Sequence, residues 1–363
     1  MPDQERWGFR LLVALVVPAC LVVLPLSLGA RPAATRLPDR LTDQEFWRLS
    51  SDLSEPDGSF RSDNLVSNEV WYQYVIPDLI KAVRPSGVYL GVGPEQNFTY
   101  IAAVRPSMAF IIDIRRGNLD LQLLYKALYE LSATRAEFVS RLFSRPQPRG
   151  LDSRSTAAEI FDAFSRVERS EPLRGDTFGA IKQHLVDRHR FALSNGDLSS
   201  IASTLEAFAT FGPKIHYLST GTDTYGGARL PTYAELMAAT DGDGVPHSFL
   251  NTEESFRWIK DVERRNLIVP VVGDFAGPKA IRAVGGYLKE RGATVSAFYL
   301  SNVELYLDRE LTWNAFCRNV NALPLDANSV FIRSAFDGRY GHGFGLNSDL
   351  GPLLSHVDHC RAF

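Results

Sequence analysis

The stretch from Gly87 to Arg116, GVYLGVGPEQNFTYIAAVRPSMAFIIDIRR, restricts the chain to few architectures. Val88-Tyr89-Leu90 is a short apolar run of β-prone residues and predicts a buried strand. Gly91-Val92-Gly93-Pro94 follows at once and predicts a tight turn. Phe98 to Val104 then carries apolar residues at helical spacing, with Asn97 as the expected N-cap. A second strand, Met108 to Ile112, runs into Asp113. Asp113 follows Gly93 by 20 positions (113 − 93), about the separation expected of a nucleotide-type site.

That order of residues has a chemical logic. Glycines let a ligand approach the backbone with no Cβ in the way. A helix N-terminus offers unpaired N–H groups. A carboxylate at the end of the next strand can accept two hydrogen bonds from ribose hydroxyls. Gln96 stands where the third glycine of G-x-G-x-x-G would fall. Its long side chain argues against a pyrophosphate across the turn, and so against NAD or FAD. A ligand with ribose and no phosphate, such as S-adenosylmethionine, remains compatible. The plain alternative is a strand-turn-helix that binds nothing.

The 363 residues suit one large α/β domain with an insertion, or two domains, and 45% apolar content suits a sizeable core. A net charge of −3 and scattered arginines exclude the basic surface of a nucleic-acid binder. Residues 11 to 30, LLVALVVPACLVVLPLSLGA, are uncharged and predict a signal peptide or a membrane anchor. The domain is therefore expected to be membrane-associated through that segment, or exported if it is cleaved. Of the cysteines Cys20, Cys317 and Cys360, the last two are read as unpaired thiols, with a disulfide between them possible after export.

Further along, Thr42 and Glu45 form a capping box. The polar cluster Asn64, Ser67, Asn68, Glu69 and Gln73 either folds over a ligand at the glycine turn or starts a capped helix over Val70 to Val83. Leu119 to Phe143 predicts one long helix, and residues 155 to 210 read as helical segments broken near Pro172 and Gly196. His184 and His189 are five apart, a poor spacing for one α-helical face, and are read as surface histidines. No metal site is expected, either there or at His356, His359 and Cys360. Lys214 to Leu218, Leu267 to Val272, Thr294 to Leu300 and Val330 to Arg333 are the remaining expected strands. The apolar run LIVPVV marks the second of these as a central parallel strand. Asp274 follows it, as a site residue or an N-cap for a helix over Pro278 to Lys289. Asp223 and Tyr225, in the loop STGTDTYGG, are further candidates for ligand contact. Asp241 and Asp243 read as a turn rather than a calcium loop.

The expected fold is a Rossmann-like, mostly parallel sheet with helices on both faces, over residues 41–335. A helical insertion lies between the second and third strands, at about 145–212. A signal or anchor with its linker (1–40) precedes this domain, and a Gly- and His-rich tail (336–363) follows it. Strand, glycine turn, helix, strand and terminal acid together resemble the class I S-adenosylmethionine-dependent methyltransferases. The resemblance implies that the cofactor contacts Gly91, Gly93, Glu95 and Asn97 around the turn, and Asp113 with its neighbour Arg115 after the second strand. It places Asp274 near the transferred methyl. Glu69, in the polar segment, joins Asp274 in positioning an unidentified acceptor. Tyr89 stands where that family usually has an acid, and Glu95 offers a carboxylate nearby. The stretches SDNLVSNE, YLGVGPEQNFTYIAA, FIIDIRR, GDFAGPKA and FYLSNVELYL also resemble a bacterial family of uncharacterised proteins. The competing expectation is an exported or tethered α/β binding protein without catalysis.

Overall fold

In the computed structural model, residues 36–220, 230–335, 338–341 and 346–355 are described. All lie in one compact unit, Ala34–Phe363. The predicted signal or anchor at 11–30, Asp223 and Tyr225, and the cluster at His356 to Cys360 fall outside the described residues. Among the described residues no helix is long and apolar enough to cross a membrane.

Six strands form one sheet: β1 (Val88–Gly91), β2 (Met108–Asp113), β3 (Ile268–Val272), β4 (Val295–Ser301), β5 (Val330–Ala335) and β6 (Asn347–Pro352). Their order is β3-β2-β1-β4-β5-β6, and helices surround the sheet. All pairings are parallel except β5 with β6. Leu90 pairs with Phe110 on one side and Phe298 on the other, so β1 is flanked on both sides. Strands buried on both faces read as continuous apolar runs, and β1, β2 and β3 are buried throughout.

Three strand expectations need correction. Lys214 to Leu218 is not a strand: Pro213 sits in a short 3-10 turn, Gly212–Lys214, and only an isolated bridge joins His216 to Thr232. The run Ile268–Val272 is an edge strand, not a central one. Pro270 has no N–H to donate, which suits an edge. Helix Asp43–Leu53 and the residues after it cover that edge: Ser50 donates to Pro270 O, Ser54 Oγ accepts from Val272 N, and Glu55 N donates to Val272 O. The segment read as a tail contributes β6, an antiparallel partner for β5.

Helices fill the stretch between β2 and β3. The expected long helix is two, Arg116–Leu131 and Arg135–Phe143, because Thr134 caps a fresh start by accepting from Glu137 N. Arg135 is wholly buried and pairs with Glu253, while its guanidinium also donates to the carbonyls of Leu250 (2.8 Å), Asn251 (2.6 Å) and Ser155 (2.7 Å). Helices Ala157–Ser165, Glu171–Lys182 and Asn195–Phe211 follow, with Pro172 in the first turn of the second. Cys317 is disulfide-bonded, which overturns its reading as an unpaired thiol.

His184 and His189 are buried, not at the surface. They lie on the π-helix Gln183–Arg188 and its C-cap, where His189 N donates to His184 O at 3.0 Å. An i to i+5 turn aligns residues five apart, which α-helical spacing does not.

Candidate functional site

The glycine turn is built from its own side chains. Gly93 has φ +78°, a left-handed conformation that favours glycine. Gly91 is glycine for a different reason. A Cβ there would stand 2.0 Å from Asn97 Oδ1 and 2.8 Å from Tyr89 Cε1. Asn97 is not the N-cap; Glu95 takes that position for helix Gln96–Val104. Asn97 lies in the first turn and folds back, its Nδ2 donating to Val92 O (2.9 Å) and Pro94 O (2.8 Å). Its Oδ1 accepts from Tyr89 OH at 2.9 Å. Tyr89, standing where the methyltransferases usually have an acid, therefore completes the internal bracing. Gln122 holds the turn from the next helix, donating to Gly93 O at 3.1 Å.

A cavity of about 290 Å³ opens where the carboxyl ends of β1, β2, β3 and β4 meet. Gly93, Asp113, Arg115, Gly273, Asp274 and Ser301 supply one side of its lining. Phe60, Arg61, Asn64, Ser67, Asn68 and Glu69 supply another, so the polar segment does reach the cavity. Tyr306 and Leu307, from helix Glu304–Arg309, close a third side. Of the predicted site residues, the structure brings Gly93, Asp113, Arg115, Asp274 and Glu69 to one cavity. Gly91, Glu95 and Asn97 are buried outside its lining. Gln73 also turns away, accepting from His247 N at 2.7 Å and donating to Leu236 O.

Charge is distributed unevenly around the cavity. Asp113 Oδ1 accepts from Arg115 N at 3.0 Å, and the Arg115 guanidinium lies 3.3 Å from the same oxygen. Arg115 also donates to Asp63 O, tying β2 to the polar segment. Glu69 Oε1 accepts from Tyr299 OH at 2.7 Å and from Ser301 Oγ. Tyr299 in turn accepts from Gln96 Nε2 at 2.7 Å. Glu69 Oε2 and Gln96 Oε1 are buried without a hydrogen-bond partner. Burial pushes the Glu69 carboxyl above its ordinary range, against the lowering effect of its hydroxyl donors. Behind it, burial pushes Glu95 up to about 8, although its carboxylate accepts from Ser67 N at 3.2 Å.

Residues 64–349 match the family described as a domain of unknown function, DUF7790. The chain belongs to that family. No curated protein matches it. The matched span begins at Asn64, so the DUF7790 match takes in the strand-end side of the cavity but not Phe60 or Arg61.

Sequence reasoning missed several residues that shape this DUF7790 site. Glu55 caps the helix Ala280–Glu290, accepting from Lys279 N (2.6 Å) and Ala280 N (2.7 Å). Asp274 is thus not the N-cap; its Oδ1 accepts from Ala276 N at 2.9 Å within the loop. Gly277 leaves room for that cap, since a Cβ there would stand 2.2 Å from Glu55 Oε2. Arg61 donates to Tyr306 OH at 2.9 Å, and Phe60 packs edge-on against the Tyr306 ring. No local pattern announces these pairs, because their members lie 245 positions apart in the case of Arg61 and Tyr306.

Proposed function

We propose that this cavity binds S-adenosylmethionine and that the protein is a methyltransferase acting on an unidentified acceptor. One observation carries the reading: Gly93, Asp113 and Asp274, from three consecutive parallel strands, share one lining around β1. Strand order reverses at β1, and ligands of open α/β sheets bind at such a point. In this reading the fold is Rossmann-like, with the helices between β2 and β3 as an insertion.

The residues present fit the cofactor. Asp113 offers a carboxylate to ribose hydroxyls. Glu69 Oε2 and Gln96 Oε1 are buried acceptors without donors, which suits the ammonium of a methionine moiety. Phe60 and Phe275 supply apolar wall for a base. When bound, S-adenosylmethionine supplies an electrophilic methyl on a sulfonium. The chain contributes alignment and a negative field from Glu69 and Asp274. Glu69 holds its proton more tightly than an exposed carboxyl, and a neighbouring cation favours its release. It serves as a base only for an acceptor with a proton to lose.

Calorimetry on the purified chain tests this. S-adenosylmethionine and S-adenosylhomocysteine should bind, and NAD should not. Asp113→Asn should weaken binding about tenfold, the loss of roughly 1.4 kcal/mol from one charge-assisted contact. Absence of heat with both adenosyl ligands refutes the reading.

A second reading is an exported, non-catalytic binding protein, favoured by the disulfide at Cys317. S-adenosylmethionine is not made outside the cytoplasm. A carboxyl-terminal reporter active only in the cytoplasm separates the two: signal supports the enzyme, and silence the binding protein.

A further inference from the structure

Away from the cavity, the π-turn brings His184 and His189 edge to face, with ring centroids 4.7 Å apart. One carboxylate oxygen lies against both: Glu130 Oε2 is 2.9 Å from His184 Nε2 and 3.1 Å from His189 Nε2. The three atoms all lie within 4.8 Å of one another. Exposure of the side chains is 5% for His184, 7% for His189 and 5% for Glu130. None of them lines the cavity. We infer that Glu130, His184 and His189 form a binding site for a divalent transition-metal ion, zinc fitting best, that fastens the π-helix to helix Arg116–Leu131.

The donor chemistry is suitable: imidazole nitrogen and a carboxylate oxygen are ordinary zinc ligands. Zinc bonds of about 2.0–2.1 Å in tetrahedral geometry set neighbouring ligand atoms about 3.3 Å apart. The two histidine–carboxylate distances need open only by tenths of an ångström, with water completing the coordination.

The surroundings supply the supports that metal ligands need. Lys126 Nζ forms an ion pair with Glu130 Oε1 at 2.8 Å, and Oε2 faces the rings. Lys126 is itself fixed by donating to Glu263 O. Asp43 Oδ1 stands 2.9 Å from His189 Nδ1, the ring nitrogen turned away from the centre, as a nearby charge without hydrogen-bond alignment. The backbone provides an independent pointer. π-turns are rare and concentrate at functional sites, and this one is what places residues five apart on one side.

The test uses the full chain, stripped with a chelator and dialysed against zinc chloride at micromolar concentration. One bound equivalent is expected, with a rise in the thermal midpoint. Cobalt substitution should give the visible absorption of a tetrahedral site. The His184→Gln/His189→Gln variant should bind at least tenfold more weakly. Glu130→Gln preserves shape and guards against a folding artefact: with unchanged circular dichroism it should still lose the zinc-dependent rise. No zinc on the parent chain, or zinc binding by Glu130→Gln and the histidine variant equal to the parent's, overturns the inference. The cluster is then a hydrogen-bonded network only.

Discussion

Gly91→Ala separates two explanations for a glycine in this turn. If Gly91 exists to admit a ligand, a methyl there lowers affinity and leaves stability alone. The structure says otherwise, because the added Cβ would meet Asn97 Oδ1 at 2.0 Å and Tyr89 OH at 2.9 Å. Forcing a methyl into a filled interior costs about 1–3 kcal/mol. Displacing Asn97 also threatens its bonds to Val92 O, Pro94 O and Tyr89 OH, each worth about 1 kcal/mol. The combined expectation is a loss of about 4–6 kcal/mol in urea unfolding followed by circular dichroism. A double-mutant cycle sharpens the test. Asn97→Ala alone should cost about 3 kcal/mol, but it empties the space the methyl needs. Gly91→Ala should then cost about 3 kcal/mol less than in the parent, with Tyr89 the remaining obstacle. Stability within about 0.5 kcal/mol of the parent, or additivity to the same margin, refutes the reasoning.

Other outcomes follow from the same geometry. Glu95 has a folded-state pKa raised from 4.5 to about 8. Its penalty is absent below about pH 4.5 and grows as pH rises toward 8, by up to about 1.4 kcal/mol per unit. Glu95→Gln keeps an acceptor for Ser67 N, so the variant should gain stability over the parent across that window in urea melts at stepped pH. Arg135→Met should destabilise the chain by about 3–5 kcal/mol, since it strands Glu253 as a buried charge; thermal unfolding measures it. Alkylation of the unreduced, denatured chain should leave Cys317 unlabelled, and reduction should expose it to mass spectrometry.

Much of the sheet was legible, because β1 to β5 are apolar runs bounded by turn residues. β6, NSDLGP, has no such pattern and exists through its pairing with β5. Conversely, Lys214 to Leu218 looks like a strand but has no partner strand among the described residues beyond one bridge. The turn, Asp113 and Asp274 were readable because each sits beside a strand end. What braces them was not: Glu55, Gln122 and Tyr306 arrive from distant segments. The π-turn escaped for a related reason. Periodicity arguments assume α-helical spacing, so an i to i+5 pair reads as two unrelated faces.

The bonds around Glu69 also bear on how the chain assembles during synthesis. Glu69 meets Tyr299 across 230 positions, and Gln96 meets the same tyrosine across 203. A ribosome must therefore deliver most of the protein before Glu69 Oε1 or Gln96 Nε2 finds its partner. Such distant closures slow folding. Until β4 emerges, the early segment waits with an unmatched acid, and a shielding chaperone has most to do during that interval.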